Sequence, residues 1–141
     1  VIMGRKTFGS LPGILPDRPH VVITRNPDHY QPPAGKNVKY VGSLDVALSA
    51  VRESGEEAFI IGGGEIAEKA LPFVNNIYLT RVMRYCSGDV VVRSLAMHSR
   101  IFSLFKLTSR EPVYSNPLII DDNPEANRKI THIYKNFRRY I

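Results

Sequence analysis

Apolar and polar positions along this chain switch between strand-like runs and helix-like stripes, which predicts an α/β fold. Short apolar runs of strand length occur at 20–24, 38–41, 58–61 and 76–82. Between the second and third runs, Leu44, Ala47 and Val51 recur at the spacing of one helix face. Strands that alternate with helices form right-handed crossovers. We therefore expect a three-layer α/β/α fold with a mostly parallel central sheet.

Capping and helix-terminating residues mark the ends of the predicted elements. Ser43 is a suitable N-cap for the helix that follows it, and Gly55 is suited to end that helix. A second helix is predicted from Glu65 to Leu71, before Pro72. The runs 105–114 and 130–141 predict two further strands, added antiparallel at one edge of the sheet. No domain boundary is evident, so residues 1–141 are predicted to form a single domain.

The apolar run at 58–61 is short enough to be a strand covered on both faces. A triple-glycine turn follows it and precedes the helix at 65–71. Glycines between a strand and a helix let backbone N–H groups approach a ligand closely, and a diphosphate is the usual ligand of that geometry. The spacing of Gly62–Gly64 is not that of the dinucleotide fingerprint G-x-G-x-x-G. A tight βα turn that requires close packing explains the glycines equally well.

Ligand-type residues follow two other predicted strands as well. Gly4–Thr7 comes after the apolar start of the chain, and Thr24–Asn26 comes after the strand that begins at His20. Ligands of open α/β sheets bind beyond the carboxyl ends of the strands. Arg5 and Arg25 have the geometry to bind phosphate, although either one alone is more simply a solvated arginine. Their coincidence with the glycine turn favours a nucleotide site.

Charge and composition narrow the possible ligands. The net charge of +6 suits an anionic small molecule and also suits nucleic acid. Cys86 is the only cysteine, which excludes an intrachain disulfide and indicates a reducing cytoplasm. The four histidines lack metal-ligand spacing, so we expect no metal site. No apolar run has the length of a membrane span and no signal peptide heads the sequence, so no membrane partner is expected.

Five motifs resemble those of the dihydrofolate reductase family in their residues, their order and their spacing. They are Ile2–Phe8, Leu15–Arg18, Val22–Asn26, Ile60–Ile66 and Tyr78–Thr80. The resemblance runs from Val1 to about Asp89 and resumes weakly at Phe105–Glu111. It implies NADPH as cofactor, dihydrofolate as substrate, hydride transfer as the reaction, and a cytoplasmic monomer that works in one-carbon metabolism.

The resemblance also implies a role for individual residues on the cofactor side. The implied cofactor-binding residues are Gly4, Arg5, Lys6, Thr7, Thr24, Arg25, Asn26, Ser43, Ile61, Gly62, Gly63, Gly64, Glu65 and Ile66. By this resemblance Arg25 lies near the 2′-phosphate that distinguishes NADPH from NADH. The resemblance further implies that Ser43 approaches the adenine and that the glycine turn lines the diphosphate.

On the substrate side the resemblance implies five further contacts. Arg18 matches the arginine that binds the α-carboxylate of the glutamate tail of folate. Leu11 and Leu15 are implied to pack on the aminobenzoyl ring. Ile61 is implied to offer its carbonyl to the pterin, and Thr80 to support the pterin through water and a carboxylate.

The family's proton-supplying Asp or Glu belongs to a segment before the first motif found here. In the family, the same segment also contains the first strand, a mobile loop and a helix. We therefore expect the sequence to be N-terminally incomplete and nominate no catalytic residue in it. Departures from the family pattern occur at Ala67, at Val90–Arg93 and at Ser94–Leu104.

Three alternatives remain open at this point. A riboflavin-pathway reductase also binds NADPH, but its glycine turn usually differs from Gly62–Glu65. Interleaved basic and aromatic residues at His132–Tyr140 resemble a nucleic-acid stacking surface, and an edge strand explains them equally well. A nucleotide-binding remnant without activity is the third.

Overall fold

The computed structural model describes residues 1–82, 88, 90–92, 105–114 and 131–139. The chain forms two compact units, Val1–Pro72 and Phe73–Ile141. That the two make up one domain remains a prediction. Cys86 and the divergent stretch Ser94–Leu104 lie outside the described residues.

The first unit alternates strands and helices, as the sequence predicts. Its elements are β1 (Ile2–Gly4), α1 (Arg5–Ser10), β2 (His20–Ile23), a short 3-10 turn (Pro27–His29), β3 (Val38–Val41), α2 (Leu44–Ser54), β4 (Ile60–Gly62) and α3 (Gly64–Ala70). The four strands form one sheet in the order β3-β2-β1-β4, and every pair in it is parallel. The first strand in sequence is therefore an inner strand of the sheet.

The two faces of this sheet are covered by different helices. Ile2 and Val41 are buried with Ala47 of α2, and Ile23 packs against the same cluster. Alternate strand residues point to the opposite face. On that face Phe8 of α1 packs edge-on against His20 and Tyr40, with ring centroids 6.1 and 6.2 Å away. The sheet of the first unit is thus covered on both sides.

The caps predicted for α2 are confirmed. The Ser43 side-chain oxygen accepts a hydrogen bond from the Val46 backbone N–H at 3.3 Å. Gly55 ends the helix in the left-handed conformation, with φ of 67°, and its N–H donates to the Val51 carbonyl. Glycine adopts this conformation without the steric cost that a side chain imposes.

Two features differ from the predicted pattern. Residues 5–10 form helix α1, which the sequence did not predict, because six residues ending in Gly9 and Ser10 carry little helical signal. Strand β4 is Ile60–Gly62, slightly later than the apolar run at 58–61. Ile61 is 41% exposed, so the expectation of a strand buried on both faces is wrong for this position.

The second unit contains an antiparallel sheet. Its strands are β5 (Asn76–Val82), β6 (Phe105–Tyr114) and β7 (Thr131–Arg139), in the order β5-β7-β6. The last two strands pair antiparallel, as predicted. In the described residues their sheet partner is β5 and not an edge strand of the parallel sheet, which differs from the prediction. Phe105 is fully buried, and Val74, Ile77 and Leu79 pack against it.

Candidate functional site

The carboxyl ends of the parallel strands meet at one edge of the first sheet. Gly4 at the end of β1 is in register with Ile23 at the end of β2, and Met3 is in register with Gly62 of β4. Ile23 is in turn in register with Val41 of β3. The residues that follow these strands therefore begin side by side, as the sequence predicts.

The glycine turn lies directly against the first turn of α1. A Cβ atom built on Gly62 lies 3.2 Å from Thr7 Cγ2 and 3.3 Å from Thr7 Oγ1. One built on Gly63 lies 3.3 Å from the same oxygen. Gly62 also has a φ of 146°, which side chains rarely adopt, and the Gly62–Gly63 peptide bond is cis. The positive φ and the close packing therefore favour glycine at position 62, whatever the turn binds.

A second close approach joins β1 to α3. A Cβ built on Gly4 lies 3.1 Å from Ile66 Cδ1 and 3.9 Å from the Gly63 backbone nitrogen. Gly4, Thr7, Gly62, Gly63 and Ile66 are therefore one contiguous cluster. We call these five residues the glycine cluster.

The segment after β2 is held rigidly at its first residue. Thr24 is 9% exposed, and its N–H donates to the Val41 carbonyl at 2.9 Å. Its hydroxyl oxygen accepts a hydrogen bond from the Asn26 N–H at 3.5 Å. Arg25, between these two residues, is exposed. The turn thus presents the Arg25 side chain from a fixed backbone.

An ion pair lies within α3, the helix that follows β4. Lys69 Nζ lies 2.8 Å from Glu65 Oε1, one helical turn away on α3. The hydrogen bond from Lys69, followed by its positive charge, lowers the pKa of the Glu65 carboxyl against a slight opposing effect of desolvation. The Arg25 guanidinium adds a smaller lowering effect on that pKa. Arg25 is therefore within electrostatic range of the start of α3.

Three of the residues implied to bind substrate lie in the loop between α1 and β2. Leu11 and Leu15 are half-buried in the loop between α1 and β2. Arg18 is exposed just before β2 begins, at the end of that strand away from Thr24, and its Nε donates to the Pro16 carbonyl at 2.8 Å. Arg18 also lines a cavity of about 370 Å³ with Phe59, which precedes β4. These residues are thus separate from the glycine cluster.

Three predicted site residues remain, in β4, in β5 and before α2. Ile61 lies in β4 immediately before the glycine turn, and Thr80 lies in β5 of the second unit. Ser43 uses its hydroxyl oxygen to cap α2. Their proposed roles at the pterin and adenine remain predictions.

Sequence reasoning missed one buried polar residue beside the loop that carries Leu11, Leu15 and Arg18. His20 is 1% exposed, and its Nε2 accepts a hydrogen bond from the Leu15 N–H at 3.2 Å. The available signal was its inward position in the alternating strand pattern of His20 and Val22. Within the described residues, no group of three or more His, Cys, Asp or Glu has an arrangement that could hold a metal ion. None of the described helices is long and apolar enough to cross a membrane.

Comparison with known proteins assigns this arrangement to a family. The family model described as dihydrofolate reductase matches residues 1–116. This chain belongs to the dihydrofolate reductase family. Membership favours this assignment over the riboflavin-pathway reductase that the sequence left open.

Relatives within the dihydrofolate reductase family match a large part of the chain. Dihydrofolate reductase type 3 of Salmonella typhimurium is 42% identical over 89 residues, which are 63% of this chain and 52% of that protein. Dihydrofolate reductase type 9 of Escherichia coli is 33% identical over 119 residues, covering 79% of this chain and 62% of the relative. The chain thus spans about half the length of the curated relatives it matches.

A solved structure supports the dihydrofolate reductase fold. The dihydrofolate reductase from Enterococcus faecalis, complexed with NADP(H) and RAB-propyl, superposes with a TM-score of 0.71 at 22% identity. The match covers 99% of this chain and 73% of that one. The predicted α/β fold class is therefore confirmed.

Proposed function

We propose that this chain binds NADPH and 7,8-dihydrofolate and serves in the reduction of dihydrofolate to tetrahydrofolate in one-carbon metabolism. The observation that carries the proposal is the meeting of three loops at one sheet edge, in a chain that belongs to the dihydrofolate reductase family. The Enterococcus faecalis structure complexed with NADP(H) supports the choice of cofactor.

The cofactor would be held by the three loops that follow β1, β2 and β4. Glycines at 4, 62 and 63 let these loops pack closely against Thr7 and Ile66, which brings backbone groups together at the edge where a diphosphate would bind. Arg5 and Lys6 are exposed at the start of α1 and supply positive charge. Arg25 is proposed to bind the 2′-phosphate, since its guanidinium matches phosphate oxygens in a bidentate geometry.

The substrate would lie along the loop between α1 and β2. Leu11 and Leu15 offer half-buried apolar surface for the aminobenzoyl ring. Arg18 is exposed, and the hydrogen bond from its Nε to Pro16 orients the guanidinium for a carboxylate of the glutamate tail. The Ile61 carbonyl and Thr80 are proposed to bind the pterin.

Reduction of the pterin requires a hydride at C6 and a proton at N5. When bound, NADPH supplies the hydride, and the residues named above bind and orient the two reactants. We nominate no residue of this chain as proton donor. The chain's own contribution in this proposal is binding and alignment.

Cofactor discrimination provides the sharpest test of this function. Dissociation constants for NADPH and NADH are measured by titration calorimetry on the wild type and Arg25→Ala. We expect Arg25→Ala to weaken NADPH binding by about tenfold to a hundredfold, the value of a hydrogen bond to a charged group. NADH binding should change little, because NADH lacks the 2′-phosphate.

Arg52→Ala is the matched control, because Arg52 lies in the last turn of α2 and is exposed. It should leave both affinities unchanged. Equal weakening of NADPH and NADH by Arg25→Ala would remove Arg25 from the 2′-phosphate site. Failure of the wild type to bind either nucleotide would refute the proposed function.

Turnover separates an active enzyme from an inactive nucleotide-binding chain. Loss of NADPH absorbance that depends on dihydrofolate supports the reductase. Tight binding of both ligands without turnover identifies the inactive alternative.

We further propose that the protein acts as a cytoplasmic monomer without a nucleic-acid partner. Sedimentation reports the oligomeric state, and a salt-dependent gel shift of labelled single strands would contradict the last point.

A further inference from the structure

His20 is a buried polar residue whose hydrogen bonding is only half satisfied. Its Nε2 accepts the Leu15 backbone N–H at 3.2 Å. Its Nδ1 is buried and has no hydrogen-bond partner among the residues that the structure describes. Buried polar atoms without a partner are rare in proteins and call for an explanation.

The contact with Leu15 determines the tautomer of this imidazole. A backbone N–H only donates, so Nε2 must carry a lone pair rather than a proton. A neutral imidazole then carries its proton on Nδ1. Because a buried N–H without an acceptor is unfavourable, an apolar residue would fill this inward position at lower cost. The acceptor at Nε2 is the property that an apolar residue lacks.

The strand around His20 is firmly anchored. His20 N–H donates to the Asn37 carbonyl at 2.8 Å, and His20 is in register with Val38 of β3. On the same face, the Phe8 ring packs edge-on against the imidazole at 6.1 Å. The backbone of His20 is therefore held by its strand pairing, and its ring is held by packing against Phe8.

The loop that His20 contacts has no regular secondary structure between Leu11 and Pro19. Two other hydrogen bonds of the loop, from Leu11 N–H to Phe8 O and from Arg18 Nε to Pro16 O, join near neighbours in sequence. At the end of the loop, the Pro19 carbonyl accepts a hydrogen bond from the Val1 ammonium group at 2.7 Å. The bond from Leu15 to His20 instead ties the middle of the loop to the ring on β2. This loop carries Leu11, Leu15 and Arg18, the residues proposed to bind the tail of the substrate.

We propose that His20 is a positioning residue for this substrate loop, acting through the hydrogen bond that its Nε2 accepts from the Leu15 N–H. The inference rests on the proposed function, because it assigns the loop a role in binding folate. His20 does not contact the glycine cluster in any described interaction, so we expect its effect to fall on substrate affinity rather than on cofactor affinity. It holds Leu15 and Arg18 in the arrangement that receives the aminobenzoyl-glutamate portion.

Two substitutions separate the acceptor from the shape of the ring. His20→Gln keeps an acceptor at the position of Nε2, and His20→Phe keeps a planar ring but removes the acceptor. We expect His20→Phe to raise the dissociation constant for dihydrofolate by about tenfold, the effect of one lost buried hydrogen bond. His20→Gln should restore most of this affinity. NADPH affinity should stay within about twofold in both variants, which also verifies that they fold.

The exposed His29 provides matched controls, because the same changes there alter no proposed site. His29→Gln and His29→Phe should leave both affinities at the wild-type values. Equal loss of folate affinity in His20→Gln and His20→Phe would reduce His20 to a packing role and overturn the proposal. Unchanged folate affinity in His20→Phe would overturn it as well.

Nitrogen NMR of the wild type tests the contact without any substitution. Long-range proton–nitrogen correlation of the imidazole should give an unprotonated Nε2 and a protonated Nδ1. The opposite tautomer would overturn the proposal even if folate binds. Wild-type protein that shows the expected tautomer but binds no folate would instead overturn the proposed function, and the positioning role with it.

Discussion

Gly62→Ala tests the geometry of the glycine turn most directly. An alanine at φ of 146° lies in a region that costs about 1–3 kcal/mol for a residue with a side chain. The new methyl group would also lie 3.2 Å from Thr7 Cγ2 and 3.3 Å from Thr7 Oγ1, closer than ordinary van der Waals contact. We therefore expect the free energy of unfolding in urea to fall by at least about 1–3 kcal/mol.

A double-mutant cycle with Thr7→Ala separates the two contributions. Removing the Thr7 methyl and hydroxyl groups leaves only its Cβ, which lies 3.8 Å from the added atom at Gly62. The steric part of the loss should then disappear, with a coupling energy of about 0.5–1 kcal/mol between the two sites. The backbone part should remain. The NADPH dissociation constant of each variant reports whether the proposed site changes with the fold.

Gly9→Ala is the matched control for the glycine turn. Gly9 lies within α1, and a Cβ built there meets nothing within 4 Å. Alanine in a helix is more favourable than glycine by about 0.5–1 kcal/mol, so this variant should be slightly more stable than the wild type. If Gly62→Ala were as well tolerated as Gly9→Ala, the described contact between the turn and Thr7 would be wrong.

Three further predictions concern the substrate loop, the cap of α2 and the charges on α3. Arg18→Ala should weaken dihydrofolate binding by about 1.5–3 kcal/mol, through loss of a charge-assisted pair, as measured by calorimetry. Ser43→Ala removes the acceptor for the Val46 N–H and should lower the free energy of unfolding by about 1 kcal/mol in urea titrations. Lys69→Ala should raise the pKa of Glu65 toward its ordinary value in an NMR titration. Because the pKa is lowered in the folded wild type, the pair stabilises the protein at neutral pH, and that contribution is lost as the pH falls through the Glu65 pKa.

Two of these changes have a matched control variant. Arg52→Ala should leave dihydrofolate affinity unchanged, so equal losses in both arginine variants would point to general electrostatics. Ser49→Ala alters an exposed serine in α2 and should not reproduce the loss at Ser43. If the Glu65 titration were the same with and without Lys69, their ion pair would not exist in solution.

Local features of the fold were predictable where several signals agreed. Helix α2 was predicted because an N-cap serine, a regular apolar spacing and a closing glycine all point to the same eleven-residue helix. Helix α1 was not, because its apolar contact comes from Phe8 packing on His20 and Tyr40, which are distant in sequence. Tertiary packing of this kind overrides weak intrinsic propensity.

The candidate site was predictable to the extent that it follows from sheet topology. The carboxyl-end rule correctly brought the residues after β1, β2 and β4 to one edge. The order β3-β2-β1-β4 was not predictable, because a crossover connection does not specify which strands become neighbours. Contacts such as Thr7 with the glycine turn, or Leu15 with His20, depend on side-chain positions that no local pattern encodes.

The inner position of β1 has a consequence for synthesis of the protein. This three-residue strand pairs with β2 on one side and with β4 on the other, and its partner Ile60 lies far along the chain. Parallel pairing over such a separation is slow, because a long loop must close before contacts compensate for its entropy. Strand β1 therefore stays without half of its pairing on the ribosome until β4 emerges, and the glycine cluster can first assemble only then.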